Sequence, residues 1–214
     1  MNYYQVPMLS NSQLGELDRM QNEKFRPSEE ILQRAFQVGN QIDYSLFEPQ
    51  NVDKDDPNLP NILKMKEAVM EHSLFKAYYN HPECKHQHEV YRIISGIPFK
   101  CKLDSYLKRF KLIMEFKSTA CKSEQSFMQA AFGEQLNYDR QIALYMNLAN
   151  VDKCIFVGIS KVNFKVFVLV VERNDKIFKQ GMKKLRDALA IFQQYRPFID
   201  LQYPLWNCLT TKNE

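Results

Sequence analysis

Three strand patterns, one helical stretch, two more strand patterns and a last helix follow one another in the second half of the chain. This order constrains the fold more than any other feature. Glu89 to Ile94 reads as a strand, Ser95-Gly96 is a turn signal, and Ile97 to Tyr106 reads as the hairpin partner. A basic turn, Lys108-Arg109, leads into a third strand from Phe110 to Phe116. Gln125 to Asn147 returns to helical spacing, with a break at Gly133. Lys153 to Ser160 and Phe164 to Glu172 predict two further strands, and Asn174-Asp175 caps a helix ending near Tyr195. Ahead of the strands the period is helical. Ser10 or Ser12 caps a helix over Gln13 to Met20, and Ser28 caps one running towards Gly39. Pro- and acid-rich residues from Glu48 to Pro60 predict a loop. Ile62, Met65, Val69, Leu74 and Tyr78 predict one helix from Asn61 to Tyr79. The tail after Pro197 reads as irregular, packing on the core through Trp206. The expected class is α/β, a mixed central β-sheet flanked by helices with an N-terminal helical segment. Residues 1–60 form that segment and 61–214 the core. The third strand, the helix after it and the fourth strand fit a right-handed crossover.

Composition narrows the function. Hydrophobic residues make up 45% of 214, enough for a sizeable core and against a disordered chain. No apolar run approaches a bilayer span, and no leader pattern opens the sequence, so a cytoplasmic location is expected. With only 6 glycines, a Gly-rich phosphate loop is not expected. The 5 cysteines have no C-x-x-C pair, which argues against a disulfide scaffold and a structural zinc site. The formal net charge of +4 permits a nucleic-acid partner without requiring one.

The chemistry begins with a carboxylate in a greasy run, Leu112-Ile113-Met114-Glu115-Phe116. A lone buried carboxylate is costly. Lys117 shares its strand face, and an acid from the neighbouring strand, Asp104, lies on the face of Lys100, Lys102 and Tyr106. A divalent cation would explain Glu115 better than an ion pair alone. Two hard carboxylates suit Mg²⁺ or Mn²⁺, and a lysine beside them suits phosphodiester hydrolysis. By itself Glu-x-Lys favours an ion pair on a surface strand. Gln141 and Tyr145 then fall at i and i+4 on one helix face, where an amide and a phenol can hold a lysine or a phosphate.

Asp104, Glu115-Phe116-Lys117 and Gln141-x-x-x-Tyr145, in this order, resemble the PD-(D/E)xK nuclease superfamily, more narrowly its exonuclease VIII-like and RecB-like branch. The wording around the motifs is similar as well: CKLDSY, MEFKSTACKSEQSF and NYDRQIALY, with MLSNSQLGEL and AFQVGNQIDYSLFEPQ upstream. The resemblance implies a restriction-endonuclease-like core in which Asp104 and Glu115 bind metal, with the Phe116 carbonyl as a further ligand. Lys117 would position the attacking water, and Gln141 and Tyr145 would support Lys117 or the DNA backbone. Where the family carries a metal-holding His, this chain has Asp43. It is either a substitute hard ligand or a solvated helix residue. Glu89 stands where several relatives carry an accessory acid. Only Cys208 lies near the end, so no iron–sulfur cluster is expected.

Lys100, Lys102, Lys108, Arg109, Lys111, Lys117 and Lys122 bunch in sequence around the acids, and with Arg140 they are candidates for phosphate contact, Lys102, Lys122 and Arg140 foremost. His72, His81, His86 and His88 read as surface-loop histidines, and Phe127, Met128 and Phe132 as core. The resemblance implies a 5′-to-3′ exonuclease on duplex DNA, working beside a single-strand annealing protein in phage-type recombination, and a homo-oligomer. The alternatives are an endonuclease on the same site, a non-enzymatic DNA-binding subunit, or a metabolic or structural α/β protein.

Overall fold

The computed structural model describes residues 3–21, 28–133 and 136–196. The expectations for Trp206 and Cys208 lie outside them. Five strands form one mixed sheet: β1 (Lys85–Ile94), β2 (Ile97–Leu107), β3 (Leu112–Thr119), β4 (Lys153–Ser160) and β5 (Val166–Glu172). Their spatial order is their chain order. Among the described strands only β3 and β4 run parallel. Joining parallel neighbours requires a crossover, here built from α5 (Glu124–Phe132) and α6 (Tyr138–Ala149). The other helices are α1 (Asn11–Gln21), α2 (Glu29–Phe47), α3 (Leu59–Glu71), α4 (Ser73–Tyr79) and α7 (Lys176–Tyr195). This is the mixed, helix-flanked α/β fold that the order of periods predicts.

Local chemistry explains the boundaries. Ser95 and Gly96 both take positive φ, 50° and 76°, as the tightest hairpin turns require, so Ile94 faces Ile97. Ser10, rather than Ser12, caps α1: its Oγ accepts from the Gln13 N–H at 3.4 Å, and the Gln13 side chain accepts from the Ser10 N–H at 2.8 Å. Ser28 caps α2 as expected. That helix continues past Gly39 because Val38, Ile42 and Leu46 prolong its apolar stripe, and it carries Asp43 in its interior. The helix expected from Asn61 to Tyr79 is two, broken at His72. After Val69 the next stripe positions are His72 and Ser73, and the break re-phases the chain so that Phe75 also reaches the core. β3 starts later than expected because Lys111, at φ 46°, closes a short turn over Lys108–Phe110.

Apolar side chains line both faces of the sheet. On one face Phe99, Cys101, Leu103, Ile113 and Phe156 pack beneath α1, α6 and α7. On the other, Met114, Phe116, Ile155 and Val157 pack against Ile42, Leu46, Met65 and Phe75. Phe127 lies in the first core, stacked between Phe156 and Phe167, as its core reading predicts. Among the described residues no helix is long and apolar enough to cross a membrane.

Two contacts fix how closely the layers approach. The Phe127 ring lies where a side chain at Gly158 would begin, 2.5 Å from its Cβ position. At Gly181 of α7 a Cβ would stand 2.0 Å from the Asp139 carbonyl of α6. Backbone cannot yield there as a flexible side chain can. Gly181→Ala is therefore expected to destabilise the protein by about 1–3 kcal/mol through overpacking, read from urea unfolding midpoints.

Candidate active site

The β2–β3 ladder has only three rungs, Leu107↔Leu112, Tyr106↔Ile113 and Ser105↔Met114. The next rung in that register would oppose Asp104 and Glu115. Like charges directly opposite disfavour pairing, and the strands part at this point. The carboxylates replace the missing ladder bonds. Asp104 Oδ2 accepts the Phe116 N–H at 2.7 Å, and Glu115 Oε1 accepts the Asp104 N–H at 3.4 Å. Side-chain alternation along β2 slips at the same place. Leu103 packs into the first core and Leu107 into the second, although regular alternation would put them on one face. The expectation that Tyr106 shares the face of Lys100 and Lys102 fails here, since Tyr106 turns to the first core.

Glu115 is 1% exposed, and its second oxygen also has partners. Gln141 Nε2 donates to Oε2 at 3.0 Å, and Lys117 Nζ stands 3.9 Å from the same atom. Gln141 Nε2 thus bonds the Glu115 carboxylate rather than Lys117. The Lys117 ammonium also lies 5.8 Å from the centre of the Tyr138 ring. Tyr145, one turn along α6, is half-buried against the first core. Burial, reinforced by Glu115, holds its phenol well above the ordinary range, so it stays a neutral donor.

Asp43 approaches from the opposite side of the sheet on α2. Burial and then Asp104 push its carboxyl up to about 7, against the pull of Lys117 and Lys102. Burial raises Asp104 too, with Lys117, the Phe116 N–H and Lys102 opposing. Burial and then Asp104 raise Glu115 well above the carboxylate range. Burial works against the charge of Lys117, but Asp104, Glu115, Tyr138 and Asp43 outweigh it and hold the ammonium above the ordinary lysine value. The structure thus brings Asp43, Asp104, Glu115, Lys117 and Gln141 into one electrostatic unit that carries more carboxylate than cation. Among the described residues, no three His, Cys, Asp or Glu side chains are arranged to surround an ion in this conformation. The chemistry of the set, hard oxygens short of positive charge, nevertheless fits Mg²⁺ or Mn²⁺.

The remaining candidates separate. Glu89 is exposed on β1, accepts the Tyr91 O–H at 2.5 Å and faces Lys102 across the ladder. It is not among the charges acting most strongly on Asp43, Asp104, Glu115 or Lys117. Lys102 does act on both aspartates. Lys122 is exposed after β3, its carbonyl taken by Asn163. Arg140 is buried, donating from Nε to Asn11 Oδ1 at 3.1 Å and from Nη2 to the Asn11 carbonyl at 3.4 Å. Its guanidinium ties α6 to α1 and is withdrawn from any exposed phosphate. The basic cluster disperses likewise. Lys100 Nζ donates to the carbonyls of Tyr3, Tyr4 and Val6, while Arg109 and Lys111 meet Glu83 and Asp152 at the far end of β3.

His86 and His88 are not loop residues. β1 begins at Lys85, and Gln87 between them takes φ 50°. His88 stacks on Tyr106, whereas His86 packs on Phe47 and Tyr79 towards the second core. The irregular alternation, invisible to a period count, separates them.

The charge balance has a consequence for stability. A carboxyl whose folded pKa exceeds its unfolded value binds its proton more tightly when folded. The benefit is full below about pH 4 and lost as pH rises through the folded value. For Asp43 that loss spreads from about pH 4 up to the folded value of about 7 and is complete above it. In metal-free buffer, Asp43→Asn is expected to raise the melting temperature at pH 8 and to leave it nearly unchanged at pH 4, flattening the profile measured by circular dichroism.

Residues 55–196 match the model of a family described as a PDDEXK-like domain of unknown function, DUF3799. No curated protein matches the chain. Among solved structures, a Eubacterium rectale protein named "Putative exonuclease" superposes with a TM-score of 0.61 at 13% identity, covering 90% of this chain and 83% of that one. A phage-related exonuclease from Haemophilus somnus aligns with a TM-score of 0.45 at 12% identity over 89% and 95% of the two chains. An alkaline exonuclease from Laribacter hongkongensis gives 0.42 at 12% over 90% and 94%. The first likeness identifies the sheet and its helices as the restriction-endonuclease-like fold. With the family model matching most of the chain, this protein belongs to the PDDEXK-like family.

Proposed function

We propose that the protein is a metal-dependent deoxyribonuclease, a 5′-to-3′ exonuclease on duplex DNA. The observation that carries this reading is the lock between Asp104 and Glu115, each bound to the other strand's N–H, with Lys117 beside them. Two carboxylates and a cation converge where a sheet opens, and a buried set of this kind is costly unless it serves a bound charge. Asp104, Glu115 and Asp43 would hold Mg²⁺ or Mn²⁺, with the Phe116 carbonyl as a further donor. When bound, the ion would lower the pKa of water and offset charge on the phosphate. The charged Lys117 donates to the attacking water or to a phosphate oxygen. Gln141 keeps the Glu115 carboxylate turned into the site, and Tyr145 stays neutral beside it. Lys102, two residues before Asp104 on β2, would meet the DNA backbone, and Lys122 would offer a second, exposed cation.

The family resemblance supports the finer parts of the reading: the polarity, a cytoplasmic setting, a role beside a single-strand annealing protein in phage-type recombination, and assembly into a homo-oligomer. The exposed position of Glu89 favours leaving it out of the metal set.

End-labelled linear duplex, incubated with Mg²⁺ or EDTA, tests the proposal directly. Mg²⁺-dependent release of nucleotides from 5′ ends is expected, with closed circles left intact. Cutting of closed circles would replace the exonuclease by an endonuclease on the same site. Asp104→Ala and Lys117→Ala are each expected to lower kcat about 10²–10⁴-fold. DNA binding with no cleavage under any divalent metal would leave a non-enzymatic DNA-binding subunit.

A further inference from the structure

Asp43 and Asp104 sit on elements from different layers, α2 and β2, and no covalent or backbone ladder joins them. As anions they repel. Something must hold the helix and the strand at a fixed separation. One side chain bridges them. His86 Nδ1 lies 2.9 Å from the Oγ of Ser105, the residue after Asp104, where the alternation of β2 slips. Its ring packs 4.4 Å from the Tyr79 ring and 5.5 Å from the Phe47 ring, centre to centre. Phe47 is the last residue of α2, one turn after Asp43. Tyr79 closes the clasp, its hydroxyl donating to the carbonyl of Leu46 in the same turn. The Phe47 ring also rests 5.4 Å from that of Phe116, whose N–H holds Asp104. His86 thus touches β2 through a polar bond and α2 directly through Phe47, and through Tyr79 of α4, which bonds Leu46, on the second-core side of the site.

We infer that His86 is a positioning residue that fixes the separation of Asp43 and Asp104 by tying the last turn of α2 to the irregular point of β2. It rests on the nuclease reading and adds a residue that touches neither substrate nor ion. Residues that orient carboxylate ligands in this way change metal affinity and turnover about 10–100-fold when removed. They leave substrate contacts in place.

The test uses the full chain and three variants. His86→Phe keeps the aromatic packing and removes the bond to Ser105, Ser105→Ala removes the same bond from the other side, and His86→Ala removes both packing and bond. Mn²⁺ binding is measured by electron paramagnetic resonance of the free ion, and kcat and KM are measured on linear duplex. Melting is followed by circular dichroism. For His86→Phe and Ser105→Ala, Mn²⁺ affinity and kcat are expected to fall about 10-fold or more, with KM and melting temperature close to wild type. His86→Ala should lose further affinity; if it fails to fold, His86→Phe decides. Wild-type Mn²⁺ affinity and kcat in His86→Phe would overturn the inference and leave the nuclease reading standing. So would a loss of affinity that only follows a lowered melting temperature. A wild-type chain that neither binds Mn²⁺ nor cleaves DNA would remove the nuclease reading, and this inference with it.

Discussion

The β2–β3 ladder ends where two carboxylates would face each other, and the candidate site depends on that ending. Antiparallel strands normally satisfy each other's N–H groups. At Asp104 and Glu115 the side chains take over, each accepting a backbone N–H of the opposite strand. The exchange keeps buried backbone groups bonded, and it opens the sheet by a wedge. Because the wedge opens within a sheet packed on both faces, it is reached from both sides. Gln141 and Tyr138 enter from the α6 layer, and Asp43 enters from the α2 layer.

Opening the sheet there has costs that the rest of the fold answers. Carboxylates in a closed space with few cations resist ionisation, and burial is the largest cause in each of Asp43, Asp104 and Glu115. Lys117 and Lys102 offset this only in part. The edge of β2 left without β3 is covered by the N-terminal residues. Leu9 bonds the Pro98 carbonyl and the Lys100 N–H, and the Lys100 ammonium binds three carbonyls of the same segment. Arg140 then anchors α1 to α6. Lys100 and Arg140, which resemble DNA contacts in the sequence, are therefore ties that hold the N-terminal segment against the opened sheet.

How much was legible in the sequence varies with the kind of signal. Glu115 stood out because an ionisable group inside an apolar run needs a reason, and Lys117 and Asp104 supplied one by position alone. Asp43 was legible only through the family resemblance, and composition left its role open. Lys100, Arg109 and Lys111 were misleading because closeness along a strand is not closeness to one end of it. A strand of eight residues, such as β3, separates its ends by roughly 25 Å. His86 and His88 were misread for a related reason. Burial on opposite faces follows from the conformation of Gln87, for which residue type gives no warning.

The sequence by itself determined the order of helices and strands, the tight turn at Ser95-Gly96, and the presence of an acid pair beside a lysine. These follow from local rules: period, capping and the cost of a buried charge. Tertiary structure alone decided that Gln141 holds Glu115, that Arg140 serves the fold, and that His86 joins α2 to β2. Those partners lie between 19 and 129 positions apart for the bonds that define them. A hydrogen bond acts over about 3 Å. Which distant groups come within that range is set by how the layers pack, not by any pattern in the residues that make the bond.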